Sequence, residues 1–252
     1  MSDRPTQGSG APAGDRLDEG TLHVRYAWPE GVEDAALERC SSLIDEGERT
    51  RMASFRFAAD RRSYLVAHGL LRSTLSDFGD VDPEAWRFVA AEGERPELHP
   101  SHGSRLRFNL SHTRSAVACA IAIDRDVGVD VESIPTGRAV GELAAHAFSA
   151  AEQESLASLS DTARGSHFLE IWTLKEAYIK ARGVGLGLPL DAFTIGLGEP
   201  ATIRFDERIE DDPHAWQFEQ RWLSPDQCLA VAVRRSGSDL GVVLTDATPT
   251  LA

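Results

Sequence analysis

The chain has 252 residues, of which 42% are hydrophobic, and its 26 Lys and Arg against 40 Asp and Glu give a formal charge of -14. That suffices for one large domain or two small ones around a sizeable core, while the acidity argues against nucleic acid, whose binding rests on neutralised phosphates. No apolar run approaches the length of a membrane span, the N-terminus has neither a basic nor an apolar leader region, and Cys40, Cys119 and Cys228 are too scattered for a disulfide framework or a metal knuckle. A soluble cytoplasmic protein with reduced thiols is expected.

Residues 1 to 19 are rich in Gly, Pro, Ser and Asp and predict a flexible tail. TLHVRYAW follows as a half-buried strand with Leu22, Val24 and Tyr26 on one side. A long helical stretch from about Glu33 to Ser76 is expected to break near Phe55 to Ala59; beyond the break Tyr64, Leu65, His68, Leu71, Arg72 and Leu75 recur at the three-and-four spacing of a helix. Turn residues occupy Gly79 to Pro83, short strands and a Pro/Gly-rich loop fill Trp86 to Arg107, and LRFNLSHTRSAVACAIAI reads as two strands joined by a polar turn.

A second unit starts near Asp126. VGVDVESI is a strand, one helix opens around Ser149, another runs from about Ala163 to Arg182, and ATIRFD, WQFEQRWL and CLAVAVRR are strands. After Arg235 the chain is small and polar apart from LGVVL, and a loose end is expected. The order of strand, helices and antiparallel strands thus occurs twice. It predicts an α+β protein of two similar halves, 20 to 125 and 126 to 235, between tails 1 to 19 and 236 to 252, although no repeat is visible residue by residue.

Three patterns carry chemistry. Between Arg49 and Arg72 six arginines face one acid, Asp60, so an acidic chain holds a local positive surplus suited to a localised anion; each arginine alone also fits a solvated helix face. In GVDVE, strand alternation sends Val129 and Val131 to the core and aims Asp130 and Glu132 to the other side, an arrangement that suits Mg2+ or merely a wet strand face. In FLEIWTLKEAYIKARG, Lys175 falls inside the apolar arc of Phe168, Ile171, Trp172, Tyr178 and Ile179. A buried ammonium must snorkel, pair with a carboxylate or meet an outside anion, and on this pattern alone methionine would suit the position at least as well. Glu176 and Lys180 lie one turn apart at the edge of the arc, as a salt bridge or as part of a site. Together these elements offer three carboxylates and two lysines, the equipment for a metal-bound pyrophosphate.

The segments FNLSHT, VGVDVE, FSAAEQESL and WTLKEAYIKARGVGLGLPLDAF, in that order, resemble the 4'-phosphopantetheinyl transferases of the surfactin-synthetase type, with weaker likeness from about Leu37 to Arg235. The resemblance implies a pseudo-dimer with coenzyme A in the cleft between its halves. It implies Asp130, Glu132 and Glu176 as Mg2+ ligands, Lys175 and Lys180 on the pyrophosphate, and Ser111 and His112 at the phosphates of coenzyme A. Glu152 matches a glutamate near the site, though it also suits the dipole of the helix it opens. Where the family has Gly-Lys-Pro this chain has Glu94-Arg95-Pro96, so Arg95 is expected to replace the lysine. Arg51 and Arg62 are the candidates for the 3'-phosphate. GVGLGLP follows a helix C-terminus, so its glycines cap a helix and shape the cleft and do not form a phosphate loop.

The activity implied is transfer of the 4'-phosphopantetheine arm of coenzyme A to a serine of an acyl, peptidyl or aryl carrier protein, with Glu132 or Glu176 as the base, by a monomer. Carriers of this kind are small and acidic, so the enzyme must hide its own acidity where they dock. The competing readings are a non-catalytic coenzyme A or nucleotide-binding module, which should lack the full set of carboxylates, and another Mg2+-dependent phosphotransferase, which should carry a nucleotide-binding glycine loop.

Overall fold

In the computed structural model, residues 18–90, 95–134 and 139–251 are described. The expected N-terminal tail, up to residue 17, and Glu94 lie outside them. In chain order the elements are β1 (Thr21–Ala27), α1 (Asp34–Leu43), α2 (Glu46–Ser54), α3 (Ala58–Phe78), β2 (Phe88–Val89), β3 (Glu97–Leu98), β4 (Leu106–His112), β5 (Val117–Ile123) and β6 (Val127–Ser133). There follow α4 (Ala139–Ala147), α5 (Ala150–Ala157), α6 (Asp161–Arg182), β7 (Phe193–Gly196), β8 (Thr202–Phe205), β9 (Trp216–Ser224), β10 (Gln227–Arg234) and β11 (Gly241–Asp246).

The fold is α+β, with a four-stranded sheet in the order β11-β1-β5-β4 and a three-stranded sheet in the order β6-β10-β9. Alternation along β5 divides its side chains between two cores: Val117, Cys119 and Ile121 pack under α3 with Leu70, Leu71 and Phe108, whereas Ala118, Ala120 and Ala122 face Val127, Val129 and Val131 of β6. The small alanines let the two sheets approach. A third core lies in the second half, where Ile171, Leu174, Ala177 and Tyr178 of α6 cover Ala230 and Ala232 of β10. The two halves are therefore joined by an apolar layer and not by a linker.

Two local signals shape the helices. The expected single break in the first helical stretch is two breaks, because Asp45 opens α2 with a capping box, its side chain accepting from Glu48 N at 2.8 Å while Glu48 accepts from Asp45 N at 2.8 Å. Ser149 opens α5 with the same device, through Glu152. The segment after Arg235, expected to be loose, is a correction: β11 pairs in parallel with β1 from Thr21↔Gly241 to Tyr26↔Asp246. Its residues are mostly exposed and so carry little of the alternation that announces a half-buried strand. Their role is to cover the open edge of β1, and Trp28 N donating to Thr248 Oγ1 at 3.0 Å fastens the end. Among the described residues no helix is long and apolar enough to cross a membrane.

Candidate functional site

The site begins with a glycine. A Cβ on Gly128 would lie 2.1 Å from Ala177 O and 2.4 Å from Ala181 N, so only glycine lets the backbone of α6 rest directly on β6. Alternation then turns Asp130 and Glu132 toward α6, and Glu176 and Lys180, one turn apart, come down on them. Lys180 Nζ donates to Asp130 Oδ1 at 2.6 Å. At its far end α6 is closed by Gly183, in the left-handed region at φ 65°, where a side chain would strain the backbone.

The first half reaches this group through β4. On one face of β4, Asn109 Oδ1 accepts from Val129 N at 2.9 Å and Ser111 Oγ from Val131 N at 3.4 Å, so two side chains occupy backbone donors on the edge of β6 that does not pair with β10. Ser111 Oγ also donates to Asp130 Oδ1 at 3.0 Å and accepts from Lys180 Nζ at 2.9 Å. On the other face, exposed His112 meets Tyr64 edge-on at 6.3 Å, and Tyr64 stacks on His68 at 4.1 Å. Behind them Glu48 contacts His68 Nδ1 at 2.7 Å and accepts from Arg72 Nη2 at 2.8 Å.

The electrostatics are those of crowded carboxylates. Burial, then the charge of Asp130, pushes the Glu132 carboxyl up to about 7, with Lys180 opposing. Glu176 is raised by the same two causes in the same order. Asp130 is 2% exposed, and its Oδ2 is buried without a hydrogen-bond partner. These are sites that a cation would satisfy. As the side chains stand, no group of three or more His, Cys, Asp or Glu among the described residues is gathered closely enough to ligate a metal. Partial desolvation, then His68 and Lys180, lowers the pKa of His112 below the usual imidazole value.

Four expected site residues have other partners. Lys175 is 0% exposed; its Nζ lies 2.8 Å from Glu152 Oε2 and donates to Leu190 O at 2.8 Å and Phe193 O at 2.6 Å. Of the three fates open to a buried lysine, it takes the internal carboxylate. Glu152, 2% exposed, also accepts from Ser149 N and Ile195 N, so both of its oxygens are committed to the core of the second half and not to the group around Asp130. Arg62 Nε donates to Pro29 O at 2.7 Å and its Nη2 to Val32 O, tying α3 to the loop after β1. Arg95 Nη1 donates to Ala181 O at 2.9 Å and its Nη2 to Asp126 Oδ1 at 3.3 Å, holding the carbonyl end of α6. Arg72 leaves the basic surplus as well, being 0% exposed on Glu48. Arg51 remains exposed, its guanidinium 5.5 Å from the Phe55 ring, within electrostatic reach of Tyr64.

Sequence reasoning missed Asn109, Gly128 and the wall of Glu48, His68 and Tyr64. The alternation in FNLSH and the i, i+4 spacing of Tyr64 and His68 held part of that signal.

Comparison with known proteins identifies a family for both parts of the chain. Residues 126–232 match the 4'-phosphopantetheinyl transferase superfamily, and residues 30–123 match the family described as 4'-phosphopantetheinyl transferase, N-terminal. The chain is 31% identical over 207 residues to the 4'-phosphopantetheinyl transferase HetI of Nostoc sp., covering 81% of this chain and 83% of that one. It is 31% identical over 202 residues to psf-1 of Bacillus pumilus, covering 79% and 82%. Against Sfp of Bacillus subtilis the identity is 30% over 172 residues, covering 67% and 73%.

Proposed function

The chain belongs to the 4'-phosphopantetheinyl transferases, and we propose that Asp130, Glu132, Glu176 and Lys180 form its reaction centre, in the cleft between the half at 20 to 125 and the half at 126 to 235. As a member of that family it is an enzyme that takes coenzyme A as substrate and moves the phosphopantetheine arm to a carrier protein. The observation that supports the assignment of residues is the crossing of α6 over Gly128, where Lys180 bonds both Asp130 and Ser111.

In the reaction the serine oxygen of the carrier bonds to the β-phosphorus of coenzyme A. The bond from that phosphorus to the bridging oxygen breaks, and 3',5'-adenosine bisphosphate leaves with the electron pair. Asp130, Glu132 and Glu176 would hold Mg2+, which supplies charge neutralisation on the pyrophosphate. The partnerless Asp130 Oδ2 and the raised carboxyls of Glu132 and Glu176 support that fit, which requires the side chains of the two glutamates to turn in toward Asp130 from where they stand. Lys180, already beside Asp130 and Ser111, donates to phosphate oxygens, and His112 binds phosphate at the rim. The serine proton passes to Glu132 or Glu176, the half-exposed carboxylates of the group, since Asp130 is occupied by Lys180 and Ser111. Arg51 faces the 3'-phosphate.

The test is intact-mass spectrometry of apo acyl, peptidyl and aryl carrier proteins incubated with the enzyme, coenzyme A and Mg2+. At least one should gain a single phosphopantetheine arm on its serine; no gain in any class would overturn the reading.

A further inference from the structure

The centre described above accounts for the coenzyme A side of the reaction but not for how a whole protein is seated against it. Phe57, the most exposed large hydrophobic among the described residues at 50%, stands in the break between α2 and α3. The Arg114 guanidinium lies 4.8 Å from its ring centre and that of Arg56 5.4 Å. A bare aromatic flanked by two cations is an apolar anchor inside a charged frame.

Its position ties it to the reaction centre. Arg114 sits in the β4 to β5 turn and binds Asp60, its Nε 2.5 Å from Asp60 Oδ1. His112 ends β4, so the turn that carries Arg114 leads directly from it. In the same turn Ser115 Oγ lies 3.4 Å from the hydroxyl of Ser133, the residue after Glu132, and accepts from Gln227 Nε2. A body resting on Phe57 and Arg114 is therefore beside the strand end that carries Glu132.

The charge is equally specific. In a chain of net charge -14, exposed Arg56 and Arg114 flank Phe57, and the preceding helix α2 adds exposed Arg49 and Arg51. Asp60 is bound by Arg114, and Glu46 lies 3.7 Å from Arg49. An acidic partner would be repelled by most of this enzyme and attracted here. Resting on the transferase reading, we propose that Phe57, Arg56 and Arg114 form the seat of the carrier protein, which presents acidic side chains around a small apolar spot close to its reactive serine.

The experiment compares wild type, Phe57→Ala, Arg56→Glu and Arg114→Glu by initial rates on an apo peptidyl carrier domain and an apo acyl carrier protein. Each variant should raise KM for the carrier, by about tenfold for the charge reversals at low salt, with the gap narrowing as salt is added. KM for coenzyme A and kcat should stay within about twofold of wild type. Arg56→Glu breaks no ion pair among the described residues, so it remains decisive if loss of the Asp60 contact unfolds Arg114→Glu. Carrier KM within about twofold of wild type in Phe57→Ala and Arg56→Glu would overturn the proposal. So would a rise confined to KM for coenzyme A and absent with dephospho-coenzyme A, which would give the arginines to the nucleotide. A wild type that modifies no carrier would instead overturn the transferase reading itself.

Discussion

Replacing Lys175 with methionine separates the helix pattern from the folded environment. On the pattern alone, methionine in an apolar arc should be harmless or better. In the structure it strips Glu152, 2% exposed, of its counter-charge and removes a donor from Leu190 O and Phe193 O. Breaking one side of a buried ion pair costs about 3 to 5 kcal/mol, because the remaining charge stays buried and uncompensated. For a chain of this size, at about 2 to 4 °C per kcal/mol, Tm should fall by about 6 to 20 °C in differential scanning calorimetry. Adding Glu152→Gln removes the stranded charge and should recover part of that loss, a coupling the double-mutant cycle measures directly. Well below the lowered Tm, Lys175→Met should keep transfer within a few-fold of wild type, since Lys175 has no contact with the group around Asp130. A Tm within about 2 °C of wild type, or a collapse of kcat with Tm unchanged, would refute the reasoning and return Lys175 to the pyrophosphate.

Gly128→Ala forces a methyl against the backbone of α6 and should cost about 1 to 3 kcal/mol or more, seen as a lower Tm together with a fall in kcat; unchanged values for both would mean the helix does not rest on β6. Glu176→Ala should abolish transfer and leave Tm within a few degrees, because it removes a half-exposed carboxylate and no core packing; activity within a few-fold of wild type at saturating Mg2+ would remove it from the site. Arg51→Ala should weaken coenzyme A by about 1.5 to 3 kcal/mol and barely affect dephospho-coenzyme A, read as KM, since a contact to a non-reacting phosphate acts as uniform binding. Arg62→Ala should destabilise the fold by about 1.5 to 3 kcal/mol, read as a lower Tm, without distinguishing the two substrates; discrimination between them would show that Arg62 reads the 3'-phosphate after all.

Elements with their own local signal were legible. Strand alternation in GVDVE placed Asp130 and Glu132 on one side, and the α+β pattern announced two halves. The side of Lys175 could not be read, because it depends on a carboxylate 23 positions earlier whose helix is turned inward by its own capping box. The arginines divide for a similar reason. Arg62 and Arg72 look like Arg51 in sequence, and only the folded loop after β1 and the buried Glu48 show that they hold structure. β11 was hidden because a strand of mostly exposed residues depends on the edge it covers.

The central residue is Asp130, to which Ser111 and Lys180 both bind and whose second oxygen has no partner among the described residues. Asp130→Asn preserves its shape and removes its charge. Single-turnover transfer, followed by intact mass of an apo carrier with and without Mg2+ at a temperature well below the Tm of each protein, should show wild type loading the arm only when Mg2+ is present, and Asp130→Asn slowed at least about 100-fold. Equal loading by wild type in a chelator, or loading by Asp130→Asn at the wild-type rate, would contradict that role for Asp130.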